Sequence, residues 1–246
     1  MPLPKPHAVI LDMDGTTVRH LNPRLLHVLE CADDVIYRSR QWGLLALHRL
    51  GFPQKVRLFR TKRKPRLIVH RTLHKLRRKP VEQIVEPCPG IIDLLELFRA
   101  HQIPVGLVSN GLGQGYGHDI LKTFELESFF AAALFREDIV HSKPNPEPII
   151  KIIQSFNLPD SPETCVWYIG DRAKDIAAAV AAERDLRCHI VPIGYGLHAA
   201  TALLRGHYPP DHLVLSYEDW FPVIEDLLGP VLQLRSSDHL ITRSSV

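Results

Sequence analysis

The chain is sparing with several residue types, and each scarcity removes a class of explanation. Only four cysteines, Cys31, Cys88, Cys165 and Cys188, stand among 246 residues. None forms a CxxC pair, which argues against a thiolate zinc site or a disulfide framework and points to a reducing, cytoplasmic setting. No run approaches the roughly 20 consecutive apolar residues that a membrane-spanning helix needs. The opening residues, MPLPKPH, contain no apolar core of the kind a secretory leader carries, so no signal peptide is expected. Aromatic residues make up 7% of the chain, and only Phe52 and Phe59 stand near its most basic stretch. That interleaving is too sparse for a base-stacking platform of the kind that grips single-stranded nucleic acid. What remains is ordinary for a globular protein: 45% apolar and 23% charged, enough to bury a substantial core.

Acids are missing from one place in particular. Residues 55–79 hold 12 Lys and Arg and no Asp or Glu. Across residues 19–88 there are 17 basic residues against five acidic ones, and the rest of the chain reverses the balance with 13 against 22. Such segregation marks a boundary between two units. Within the basic unit the pattern is helical. Asn22 is placed to cap and Pro23 fits the first helical position. Residues 65–79 repeat the helical spacing with Val69, Leu73 and Leu76 on one face. Outside it, strands and helices alternate. Residues 7–11, 104–108, 131–135, 165–169 and 188–193 read as strands. Residues 91–100, 119–124, 147–156 and 176–184 read as helices. That alternation predicts an α/β fold, a parallel sheet with helices on both faces in three layers. The end, from about residue 234, is polar and is expected to be loose.

The polar clusters fall where such a sheet binds ligands, beyond the carboxyl ends of its strands. In AVILDMDGTTV a buried-strand run enters Asp12 and Asp14 directly. Ser109 and Asn110 follow the next clear strand, Lys143 lies in the loop after residues 131–135, and Asp171 with Asp175 follows CVWYIG. Clustered carboxylates repel one another unless a cation neutralises them. Oxygen ligands with no His or Cys beside them favour magnesium over zinc. A lysine and a serine facing that cation suit a phosphate, and two carboxylates one residue apart can divide nucleophilic and proton-transfer roles.

DMDGT at residues 12–16, Ser109, Lys143 and GDRAKD at residues 170–175 resemble, in order and spacing, the four motifs of the haloacid dehalogenase-like (HAD) superfamily. The resemblance covers roughly residues 5–20 and 88–230. It implies a Rossmann-like catalytic core over residues 1–18 and 89–246, with residues 19–88 as a smaller helical C1-type cap inserted after the first strand. Phosphoglycolate phosphatase-like and 5′-nucleotidase-like members share that arrangement. It further implies Asp12 as nucleophile and Asp14 as general acid and base. Mg²⁺ would be held by Asp12, the Asp14 main-chain carbonyl and Asp171, with Asp175 supporting that shell. Ser109, Asn110 and Lys143 would bind the phosphoryl group. The second aspartate goes with phosphatases and phosphomutases in that superfamily, and against carbon–halogen and carbon–phosphorus cleavage.

The expected activity is hydrolysis of a small phosphomonoester through an aspartyl-phosphate. A phosphomutase similar to β-phosphoglucomutase is the near alternative. From a different class, the basic unit could dock on nucleic acid or an anionic membrane. After DGT the chain reads TVRH, where relatives often carry an acid near the hinge, so the hinge here is basic. GLGQGYG at residues 111–117 does not have dinucleotide-binding spacing and is expected to be a loop. His20 and His141 stand near motifs, with local hydrogen bonding or solvation as their expected state.

Overall fold

The structure, a computed structural model, describes residues 3–21 and 80–230. The helices expected from Asn22 and over residues 65–79, the basic run and the polar end lie outside the described residues. Among the described residues no helix is long and apolar enough to cross a membrane.

The first strand, β1 (Ala8–Asp12), is buried along its whole length. It is followed by β2 (Val18–His20) and β3 (Val85–Pro87), then α1 (Ile91–Ala100), β4 (Val105–Val108), α2 (Gln114–Thr123) and β5 (Phe130–Leu134). The second half runs α3 (Glu147–Ser155), β6 (Cys165–Gly170), α4 (Ala173–Asp185), β7 (His189–Tyr195), α5 (Leu197–Arg205), β8 (Leu213–Val214) and α6 (Tyr217–Leu228). Six strands form one sheet in the order β5-β4-β1-β6-β7-β8, and every neighbouring pair is parallel. The expected α/β fold is the observed one. The order turns about at β1, with β4 and β5 extending one way and β6, β7 and β8 the other. A crevice therefore opens beyond the carboxyl end of β1, at Asp12.

Alternation along the strands builds two cores. Val9 and Leu11 of β1 and Trp167 and Ile169 of β6 face one side, where α1, α2 and α6 pack. Ala8, Ile10, Val166 and Tyr168 face the other, against Ile149, Ile152 and Ile153 of α3 and Ala178, Ala179 and Ala182 of α4. The alanines of α4 let it lie close to the sheet. On the first face Trp167 packs against Trp220 at 5.6 Å between ring centroids and edge-on against Phe98 at 6.5 Å. The Tyr217 hydroxyl donates to the Thr16 carbonyl at 3.1 Å, which ties α6 to the turn after β1.

β2 and β3 pair antiparallel, Val18 opposite Pro87 and His20 opposite Val85. The chain thus leaves the core and returns to it side by side, and Arg19 meets Glu86 at 2.7 Å on the exposed face of this stem.

Two differences from expectation have physical reasons. Residues 114–117 are the first turn of α2, not a loop. The glycines that suggest a loop are there for packing: a Cβ on Gly117 would lie 2.1 Å from Cε1 of Phe135, which is itself buried. β8 and α6 give little sequence signal, because β8 has two residues and α6 carries Pro222 within it. Gly117→Ala should overpack the α2–Phe135 contact by about 1–3 kcal/mol, offset by up to about 1 kcal/mol of helix propensity. A melting temperature lower by about 3–6 °C is expected in a thermal scan; no change would show that Phe135 moves aside freely.

Candidate active site

Asp12 closes β1 with 3% of its surface exposed. Its main-chain carbonyl accepts from the Thr17 hydroxyl at 2.8 Å. The turn beyond it is tight: the Met13 carbonyl accepts from the Thr17 and Val18 N–H groups, each at 3.0 Å, and the Gly15 N–H donates to Val18 at 2.8 Å. Gly15 has φ of +83°, and a Cβ there would lie 2.5 Å from Oδ2 of Asp171. Only glycine allows both that conformation and that approach of main chain to a carboxylate. The turn therefore carries β1 directly against the end of β6.

Lys143 comes from the loop between β5 and α3 and is fully buried. Its ammonium is paired with Oδ1 of Asp12 and lies 2.8 Å from Oδ1 of Asp175. It also donates to the Tyr168 hydroxyl at 2.8 Å. Burial alone would push this ammonium towards neutrality; Asp12, Tyr168 and Asp175 reverse that and hold its pKa well above the ordinary lysine value. Asp175, in the first turn of α4, also accepts from the Arg172 N–H at 3.1 Å. A Cβ on Gly170 would lie 2.4 Å from Cβ of Asp175, so the end of β6 and the start of α4 are pressed together there.

Asp14 stands apart from this enclosure. Its side chain is 27% exposed, with Oδ1 3.7 Å from Nε2 of His20 on β2. A Cβ on Gly111 would lie 3.1 Å from its Oδ2, so the carboxylate sits between the stem and the loop after β4. Ser109 is buried, and its Oγ accepts from the Leu112 N–H at 3.1 Å, leaving the hydroxyl hydrogen to donate elsewhere. The Asn110 side chain spans two loops: Oδ1 accepts from the Lys143 N–H and Nδ2 donates to the Lys143 carbonyl, both at 3.2 Å. Arg136 reinforces this clamp, donating to the Asn110 carbonyl at 3.3 Å and to the Ser142 hydroxyl at 2.8 Å. His141 bonds locally, with Nδ1 2.6 Å from Glu147. Burial opposes ionisation of that Glu147 carboxyl, but hydrogen bonds from Lys151, His141 and the Val140 N–H hold it down at about 2.

The residues present fit a divalent cation. One carboxylate oxygen from each of Asp12, Asp171 and Asp175 lies within 4.8 Å of the others. Oδ1 of Asp171 is buried and has no hydrogen-bond partner among the described residues. Three ionised carboxylates against one ammonium leave two negative charges over, which a divalent ion with oxygen preference would balance. Without it, burial, opposed by Lys143 and reinforced by Asp175, pushes Asp12 up to about 7. Burial and the Asp175 charge likewise raise Asp171 to about 6.

The structure thus brings Asp12, Lys143, Asp171 and Asp175 into one cluster, with Ser109, Asn110 and Asp14 around it. Sequence reading missed Tyr168, which looks like any apolar strand residue, and Arg136, which works through main-chain and hydroxyl contacts that leave no spacing signal.

A family model, haloacid dehalogenase-like hydrolase, matches residues 9–186, and the chain belongs to that family. Among curated proteins it is similar to the phosphoglycolate phosphatase of Yersinia pestis, 26% identical over 146 residues that cover 59% of each chain. It is also 26% identical over 136 residues to the phosphoglycolate phosphatase of Escherichia coli K12, covering 55% of this chain and 50% of that one. The chain spans between half and three-fifths of the length of these relatives. Among solved structures, the HAD family hydrolase of Deinococcus radiodurans, with bound phosphate and sodium, aligns with a TM-score of 0.57. The two share 18% identity over 90% of this chain and 96% of that one. The β-phosphoglucomutase of Clostridium difficile aligns at 0.54 with 16% identity, over 91% and 97%. These likenesses are of fold.

The raised carboxyls set a pH dependence whose sign is fixed. With folded pKa values of about 7 and about 6 against an ordinary 3.8, the folded protein keeps protons that the unfolded chain has released. Their stabilising contribution is complete below about pH 4 and is lost as pH rises towards about 7. In EDTA, wild-type protein should lose melting temperature over that interval relative to Asp171→Asn, with the two converging near pH 4. Parallel profiles would show that Asp171 is not held against its charge.

Proposed function

We propose that the protein is a phosphomonoesterase that uses magnesium and works through an aspartyl-phosphate at Asp12. One observation carries this reading: Asp12 is enclosed with Lys143, Asp171 and Asp175, while a second acid two residues on, Asp14, stays outside that enclosure. The environments separate the two carboxylates as a nucleophile and a proton-transfer group require.

Asp12, Asp171 and the Asp14 main-chain carbonyl would hold the ion, which supplies positive charge against the phosphoryl oxygens. Asp175 supports that group through Lys143 and the Arg172 N–H. In the first step an Asp12 carboxylate oxygen bonds to phosphorus as the ester P–O bond breaks, and Asp14 gives its proton to the departing alkoxide. In the second, Asp14 takes a proton from water, the water oxygen bonds to phosphorus, and Asp12 leaves as a carboxylate with inorganic phosphate released. The Ser109 hydroxyl donates to a phosphoryl oxygen, and Asn110 holds the Lys143 loop in register beside it. Little covalent work falls to the protein beyond this, so positioning and charge carry most of the rate.

Residues 19–88 act in this reading as a cap that selects the ester, with the basic run at residues 55–79 drawing anionic substrates in. The substrate is a small phosphorylated molecule, and the curated phosphoglycolate phosphatases make a short phosphorylated acid the first to try. This reading takes a reducing cytoplasm as the protein's setting. A phosphomutase would use the same two carboxylates, and net release of inorganic phosphate from sugar phosphates separates it from a hydrolase. Docking of the basic unit on nucleic acid or anionic lipid would survive loss of Asp12.

A phosphate-release screen over phosphoglycolate, nucleotides and sugar phosphates should find a substrate that depends on Mg²⁺. Asp12→Asn should then lower kcat by at least about 10³-fold, as loss of a nucleophile that acts in concert with other groups does. Turnover that persists in EDTA or in Asp12→Asn would overturn the mechanism. Neutralising Lys62, Arg63 and Lys64 together should raise KM by about threefold to tenfold at low salt, with a smaller effect at high salt where charges are screened. An unchanged KM would make that run a solvated face.

A further inference from the structure

The buried Lys143 ammonium has three N–H donors to place. One goes to the Asp12 carboxylate and one to the Tyr168 hydroxyl at 2.8 Å, while Oδ1 of Asp175 lies 2.8 Å away as a second ion-pair partner. The next acceptor, the Val108 carbonyl, is at 3.5 Å. Among the described residues, Tyr168 is the nearest partner of this ammonium that is not a carboxylate. Its own hydroxyl hydrogen points on to Oδ1 of Asp175 at 3.4 Å. A phenol suits this place because it accepts from lysine and donates to aspartate at once. Burial strongly disfavours the phenolate, so the hydroxyl keeps that hydrogen.

The three partners differ in what the reaction asks of them. Asp12 is the group that bonds to phosphorus, and the oxygens of Asp12 and Asp175 also lie in the cluster that fits a cation. Their hold on Lys143 must change as a cation binds and as the Asp12 oxygen becomes an ester. Tyr168 has no such second task. It stands on β6, hydrogen-bonded between β1 and β7, and its side chain is wedged into the core with α3 and α4.

We propose that Tyr168 is a positioning residue that fixes the Lys143 ammonium beside Asp12, keeping it in place while its two carboxylate partners change their bonding. The kinetic consequence rests on the phosphatase reading; the ammonium contact itself does not.

Tyr168→Phe removes the hydroxyl and keeps the ring. With lysine labelled by ¹⁵N, wild-type protein should show a slowly exchanging Lys143 ammonium signal, identified by its loss in Lys143→Ala. In Tyr168→Phe its exchange with water should quicken by at least about tenfold, the factor a lost hydrogen bond to a charged group corresponds to. With the substrate found in the screen, kcat should fall about 10- to 100-fold, the scale of a small misplacement at a reacting centre, with KM changed by less than about threefold. An unaltered ammonium signal overturns the proposal, as does unaltered kcat in an enzyme whose wild type turns over. If the wild type releases no phosphate from any ester, the phosphatase reading falls and the ammonium exchange still decides the contact. Should the Phe variant not fold, the wild-type ammonium signal must still show Overhauser contacts to the Tyr168 ring; their absence overturns the proposal.

Discussion

The Lys143 ammonium is enclosed by protein on every side, and an enclosed ammonium persists only where anions and hydrogen-bond acceptors surround it. Asp12 and Asp175 supply the charge, and the Tyr168 hydroxyl supplies an uncharged acceptor. The dependence also runs the other way. Asp12 and Asp175 are buried as deeply as the lysine, and each would be costly to keep ionised alone. The groups are affordable only together, so three stretches of chain far apart in sequence must end at one point. Much of the architecture can be read as the means of bringing them there.

The parallel sheet does this by placing β1 at the position where the strand order turns about. Strands running the same way deliver their following loops to one edge, and at the turn those loops spread apart to leave room between them. The local chemistry then closes the distances. Gly15 lets the turn after Asp12 approach Asp171, and Gly170 lets the start of α4 press on the end of β6. Asn110 and Arg136 bind the loop after β4 to the loop that carries Lys143. None of these contacts is strong by itself, and their joint effect is to remove freedom from a cluster whose net charge favours spreading.

Much of the cluster was legible because catalysis by charged groups at strand ends leaves a pattern. Apolar runs that stop abruptly at Asp12, Ser109 and Asp171 mark both the strand and the residue it presents. Lys143 was legible only through its place between the other motifs. The rest was hidden for definite reasons. Tyr168 alternates correctly with Trp167 and Ile169, so its sequence context is that of a core residue, and only the position of its hydroxyl makes it part of the site. The glycines at residues 111–117 suggest a loop because glycine weakens helices, yet Gly117 is required by the Phe135 ring that packs on α2. β8 is too short to carry a period, and Pro222 argues against a helix that packing on Trp167 nevertheless sustains.

The two acids at the end of β1 are two residues apart and live in different surroundings. Asp12 faces inward to the lysine, where its bonding is fixed by the sheet and by α4. Asp14 faces the β2–β3 pair, against His20 of β2 and beside Gly111. A group that attacks phosphorus needs the first setting, since its geometry must not vary with the substrate. A group that protonates a leaving alcohol needs the second, since it must meet whichever alcohol is admitted. The separation has a consequence for how the protein could diversify. On the proposed reading, changes in β2 and β3 would act on Asp14 and the leaving-group side before they touch the Asp12–Lys143 enclosure. Arg19 and His20 lie on β2, so on the proposed reading the departure from the family pattern would fall on the leaving-group side and away from the atoms that would carry the phosphoryl group.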